Sequence, residues 1–206
     1  MTYTNNVLEK ETTKTALEPI VAIEALYASM EDVSPESLCC LVAQSAFETA
    51  RWAKIYNYNF GNIKAPDTRP HMYLKGASEI INGKEIFPQP PDPQCRFAAY
   101  PDVFQGAKAL VTFLSVDTTP DNGKPNRYAA AWSECLAGDL AGFVHELSRA
   151  GYFTADVGVY LRGCQICYDR YYSQCLQVAA PEPDVRALAA RIEELENWAK
   201  GIGYKV

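Results

Sequence analysis

Basic residues are scarce in this chain. Lysine and arginine total 19 of 206 residues against 25 aspartates and glutamates, a formal charge of −6. They form no run, which argues against non-specific nucleic-acid binding and against adhesion to anionic membranes. Long apolar stretches are also missing, and nothing approaches the roughly 18–20 apolar residues of a membrane span. The N-terminus lacks a basic start and an unbroken apolar run, because Ala16 to Ala28 is interrupted by Glu18, Pro19 and Glu24. No export signal is read there, so the expected site of synthesis is a cytoplasm. Only two histidines occur, His71 and His145. Neither stands at finger-like spacing from Cys164-x-x-Cys167, so no metal and no cofactor is expected. No internal repeat or low-complexity tract is visible.

What is present suits a folded core: 48% hydrophobic and 21% charged residues. The length fits one domain over 1–180, followed by an appendage over 181–206. The 7 cysteines, an odd number, fit reduced thiols better than a disulfide framework. Cys164, Cys167 and Cys175 share a stripe with Val157, Tyr160, Leu161, Tyr168 and Tyr171 at steps of three and four. That spacing predicts a helix over 156–176 with these cysteines packed in the core.

Other helices carry start signals. Ser34, Pro35 and Glu36 open one whose apolar face is Leu38, Leu41, Val42, Ser45 and Ala46. An earlier helix is expected over 16–30 with Leu17, Ile20, Val21 and Leu26 inward. Asp102 caps a helix carrying Phe104, Ala107, Val111 and Leu114. Asp139 caps another, carrying Leu140, Phe143, Val144 and Leu147, that stops at Ala150-Gly151. Between residues 55 and 96 Asn, Gly, Pro and Tyr dominate, and Glu79 to Phe87 reads as a hairpin around Asn82-Gly83. The prolines at 88, 90, 91 and 93 then form a stiff connection. After Pro181-Glu182-Pro183, the residues Val185, Leu188, Ile192, Leu195 and Ala199 define an amphipathic helix over 184–200. It either packs on its own domain or serves docking and self-association.

One carboxylate stands out by position. Glu48 falls about 80° to one side of the apolar face, near the C-terminal end of its helix. Partial burial and the negative helix end both favour a protonated carboxyl, as a general acid requires. On position alone, a solvated surface glutamate is the better reading.

The stretch Leu41-Val42-Ala43-Gln44-Ser45-Ala46-Phe47-Glu48-Thr49, followed by Tyr58-Asn59-Phe60-Gly61-Asn62-Ile63-Lys64-Ala65, resembles the signature of glucosaminidase-type peptidoglycan hydrolases. These belong to the lysozyme-like superfamily. The resemblance continues in order through Ser78 to Gly83, Arg96 to Tyr100, Arg127-Tyr128-Ala129 and Ala150 to Thr154. It departs where Ala50-Arg51-Trp52 stands for Gly-Trp-Gly, and where Asn62 looks like an insertion. The resemblance implies an α+β, mostly helical, two-lobed fold with a small β-hairpin lobe. It implies Glu48 as the general acid and Glu79 as a second carboxylate on the hairpin, with Glu85 on the partner strand as the alternative to Glu79. Asn59 and Phe60 would line the cleft floor, and Tyr58, Tyr128 and Tyr152 would contact sugar.

The expected activity is therefore cleavage of the glycan backbone of bacterial cell wall, as an N-acetylglucosaminidase or a muramidase. The alternatives are a lytic transglycosylase, or a non-catalytic glycan-binding or structural module of a phage particle or secretion assembly. The expected partner is the peptidoglycan strand. Without an export signal, the wall would be reached after lysis, through a pore, or by delivery on a particle, as bacteriophage endolysins and virion-associated enzymes do.

Overall fold

A computed structural model describes residues 6–9, 14–31, 33–66, 69–81, 83–116, 126–180 and 194. The amphipathic segment expected over 184–200 lies outside the described residues, apart from Glu194. Among the described residues the chain is mixed α and β and mostly helical.

In chain order the elements are β1 (Asn6–Glu9), α1 (Pro19–Tyr27), α2 (Pro35–Glu48), β2 (His71–Lys75), β3 (Glu79–Ile81) and β4 (Lys84–Ile86). A 3₁₀ turn at Pro93–Cys95 leads into β5 (Arg96–Ala98), then α3 (Val103–Ser115), α4 (Ala129–Leu136), α5 (Leu140–Arg149) and α6 (Val157–Ala179). The expected caps are in place. Ser34 Oγ accepts from Ser37 N at 3.1 Å, Asp102 Oδ1 from Gln105 N at 2.8 Å and Asp139 Oδ1 from Gly142 N at 3.0 Å; Asp156 Oδ1, not among the expected caps, also accepts from Val159 N at 2.9 Å. Each satisfies an amide that has no partner inside its own helix.

α2 is the central helix. Every residue from Ser37 to Ala46 is buried, not one face alone. It packs along α6 and also meets α1 and α4. Cys164, Cys167 and Cys175 do lie on the buried stripe of α6 beside Tyr160 and Tyr171. All seven cysteines are buried and free. Burial pushes the thiols of Cys40, Cys135 and Cys164 up, away from the thiolate form that metals and electrophiles need.

Two expectations are corrected. The first helix begins at Pro19, and it buries Ala22, Ile23, Ala25 and Leu26 while Ile20 and Val21 are exposed. The stretch is apolar on nearly every side, so periodicity did not choose its face, and Pro19 at the first helical position sets the start. Phe104 is 52% exposed. It lies in the first turn of α3, where Val103 takes the inward place.

The β elements form a small second cluster. β2 pairs in parallel with β1 and antiparallel with β5, and β3 and β4 form the expected hairpin. Met72, Leu74 and Phe97 pack there with Tyr56 and Ala77, apart from the helical core. The loop from Tyr58 to Ala65 joins the two clusters, and its approach to α3 is close. A Cβ on Gly106 would stand 2.0 Å from the backbone oxygen of Tyr58. Gly106→Ala is therefore expected to push the loop away and to cost about 1–3 kcal/mol in a denaturant melt.

Candidate functional site

The last residue of α2 is Glu48, and both of its carboxyl oxygens are engaged. Tyr160 Oη on α6 donates to Oε1 at 2.6 Å, and Asn62 Nδ2 donates to Oε2 at 3.0 Å. Asn62 Nδ2 also reaches the Glu48 backbone oxygen at 3.1 Å, capping a free carbonyl of the helix end. Burial raises the carboxyl above its ordinary value of 4.5, and the two neutral donors only partly offset it. The titratable groups that interact with it, Tyr160, Tyr152 and Cys164, are themselves shifted up by burial first and by Glu48 among other causes.

Several bonds hold the loop so that Asn62 arrives there. Asn59 Nδ2 donates to Ile63 O at 2.9 Å and to Ala98 O at 3.0 Å, while its Oδ1 accepts from Ile63 N at 2.8 Å. Ser45 Oγ donates to Phe60 O at 2.9 Å, and Tyr152 Oη donates to Gly61 O at 2.7 Å. Asn62 itself has φ +50°, a left-handed conformation that asparagine tolerates better than most residues. The residue that looks like an insertion in the sequence thus reaches the carboxylate.

Behind Glu48 the chain turns sharply. Ala50, Arg51 and Trp52 have φ of 50°, 58° and 57° in succession, with no glycine among them. Thr49 Oγ1 accepts from Trp52 N at 3.1 Å, and the fully buried Trp52 ring donates Nε1 to Ser45 Oγ at 3.1 Å. The indole anchors a turn that other residues would find costly.

Aromatic rings wall one side. Phe153 stacks on Tyr160 with centroids 3.7 Å apart and planes 4° apart, and Phe47 meets the same ring edge-on at 4.9 Å. A Cβ on Gly163 would stand 2.1 Å from Cε2 of Phe47. Gly163→Ala is expected to displace that ring and lower stability by about 1–3 kcal/mol, read by thermal or denaturant melting.

The other expected site residues occupy varied places. Glu79 lies on β3 and is ion-paired with Lys64, whose ammonium also donates to Gln94 O and sits 3.8 Å from the Phe97 ring centroid. Glu85 faces Ile80 in the hairpin register and Glu79 faces Ile86, so the two carboxylates project from opposite faces. The face toward Lys64 belongs to Glu79. Phe60 and Asn59 are buried, and the Asn59 side chain is spent on backbone groups. They build the loop instead of presenting a surface. Tyr58 is half-buried with φ +53°. Tyr128 is buried and packs against Phe113 and Tyr152. Tyr152 is partly buried, with its hydroxyl on Gly61. A cavity of about 190 Å³ flanks the far end of the loop between Ile63, Arg69, Tyr100 and Gln105, and Glu48 does not line it. Among the described residues, no group of three or more His, Cys, Asp or Glu side chains is placed to hold a metal ion.

No family model, no curated protein and no solved structure matches the chain.

The raised carboxyl has a consequence for stability. A carboxyl whose folded-state pKa lies above the unfolded value favours the native state fully below about pH 4.5, and that contribution fades as pH rises through the folded value. Glu48→Gln removes the titration. The stability of the variant relative to the parent is expected to increase from pH 4 to pH 8, measured by urea melts across that range. A constant difference would show that Glu48 ionises normally.

Proposed function

We propose that the protein is a glycosidase of the bacterial cell wall, with Glu48 as the general acid that protonates the departing glycosidic oxygen. The observation that carries this reading is the Glu48 carboxyl itself. It is desolvated at the end of the central helix, held by two neutral donors, and shifted toward the protonated form. A group of that kind keeps a transferable proton nearer neutral pH than a surface glutamate does. The sequence resemblance to glucosaminidase-type peptidoglycan hydrolases supports the choice of substrate and a lysozyme-like two-lobed fold. The flanking cavity is below the range of about 300–1,000 Å³ typical of small-molecule sites. The reading therefore places the glycan strand at the Glu48 carboxyl, outside that cavity.

In this mechanism the proton of Glu48 moves to the bridging oxygen and the C1–O bond breaks. The sugar cation that remains is captured in one of two ways. Glu79 activates a water that attacks C1, giving hydrolysis. Alternatively, the newly ionised Glu48 takes the proton of the sugar's own C6 hydroxyl, which attacks C1 and leaves an anhydro-sugar, as lytic transglycosylases do. The ion pair with Lys64 favours the second course, since Glu79 Oε1 is already engaged. Turbidity of purified walls tests the reading: clearing by the intact protein is expected, and no clearing on walls of any composition would overturn it.

A further inference from the structure

Gln44 is fully buried on α2, one turn before Glu48. Its Nε2 donates to Tyr160 Oη at 3.4 Å. Its Oε1 is buried with no hydrogen-bond partner. Burying an unsatisfied amide oxygen is unfavourable, and an apolar side chain of similar size would avoid it. The amide is nevertheless turned so that its donor end faces the Tyr160 hydroxyl oxygen. The reverse orientation would place an acceptor there and draw a hydroxyl proton toward it. The diverted proton would be that of Tyr160. As oriented, Gln44 offers Tyr160 no competing acceptor, and the Tyr160 proton goes to Glu48 Oε1.

A carboxyl oxygen that accepts a short hydrogen bond is the poorer place for a proton. The transferable proton then rests on Oε2, beside Asn62. We propose that Gln44 is a positioning residue for Glu48, acting through Tyr160: its amide fixes the direction of the Tyr160 hydroxyl and reserves Glu48 Oε2 for the proton that is transferred. The catalytic meaning of this chain rests on the acid reading of Glu48, but the chain itself can be read by titration whether or not the protein cuts glycan. The titratable groups facing Glu48 are Tyr160 and Cys164 on α6 and Tyr152 ahead of it, and burial keeps all three neutral through the range of interest.

The test follows the Glu48 carboxyl carbon by NMR as pH is varied, in the full-length protein. Tyr160→Phe is expected to move the Glu48 midpoint up by about one unit, since a donor to the ionised form is lost. Gln44→Met is expected to move it in the same direction by about half as much, and to leave thermal stability unchanged or raised because the orphaned oxygen is gone. In the Tyr160→Phe background, Gln44→Met is expected to add nothing. An equal shift from Gln44→Met in both backgrounds, or no shift in either, would overturn the proposal. A second measurement needs no Gln44 variant. The side-chain amide protons of Gln44 are expected to follow the Glu48 titration in the parent and to lose that dependence in Tyr160→Phe. Dependence that persists unchanged would likewise overturn it. Coupled titration in a protein that clears no wall would support the chain and reject the glycosidase reading, so the two fail separately.

Discussion

Glu48→Gln is expected to reduce wall clearance by about 10²–10⁴-fold, the usual contribution of a positioned general acid. Glutamine keeps the shape of the side chain and can still accept from Tyr160, but it has no proton to give. The loss should therefore appear in turnover, with little change in binding to walls. The parent's activity should fall as pH rises through the elevated Glu48 value, because only the protonated form acts. Glu79→Gln should cost less. It breaks a partly exposed ion pair with Lys64, whose contribution to stability is about 0–1 kcal/mol. If the C6 hydroxyl captures the sugar cation, most of the activity survives that substitution.

The second large effect concerns Trp52. Trp52→Ala is expected to destabilise the fold by about 3–5 kcal/mol, in the range for deleting a buried aromatic side chain. The indole is fully buried, lies against Tyr171 with centroids 5.3 Å apart, and donates to Ser45 Oγ. Three consecutive left-handed residues precede the next stretch of chain, and each costs on the order of 1 kcal/mol outside such a framework. Without the indole that strain has no counterweight, and Ser45 loses the partner that helps orient it toward Phe60 O. Trp52→Phe separates the contributions. It keeps most of the packing and loses one buried hydrogen bond, so about 1–2 kcal/mol is expected from denaturant melting.

The helix starts were legible because capping is local. Ser34, Asp102 and Asp139 each announce a helix within three residues, and each bonds the backbone as expected. The stripe of α6 was legible for a similar reason, since steps of three and four put Cys164, Cys167 and Cys175 on one face. The face of α1 was not, because Ile20 and Val21 are as apolar as the residues that took the inward places. Nor was α4 anticipated, whose short run follows Tyr128 without a side-chain cap. β1 was missed because its partner, β2, lies more than sixty residues away.

At the site, the position of Glu48 beside the core was readable from helical phase. Its partners were not. Asn62 lies 14 residues from Glu48 and Tyr160 lies 112 residues from it, and neither spacing carries a periodic signal. Asn62 resembled an insertion, while its left-handed backbone is what carries the amide to Oε2. Tyr160 read as one more core residue of an amphipathic helix. The orphaned Gln44 oxygen marks where local stability yields to the arrangement around the carboxyl. Functional sites are the places where such departures from simple packing are expected.

The most direct measurement is mass spectrometry of fragments released from purified peptidoglycan by the parent protein and by Glu48→Gln. New glycan ends are expected from the parent, either reducing or anhydro, and almost none from the variant. Equal release by both proteins, or fragments cut only in the peptide stems, would contradict the assignment of Glu48 as the acid of a glycan-cleaving enzyme.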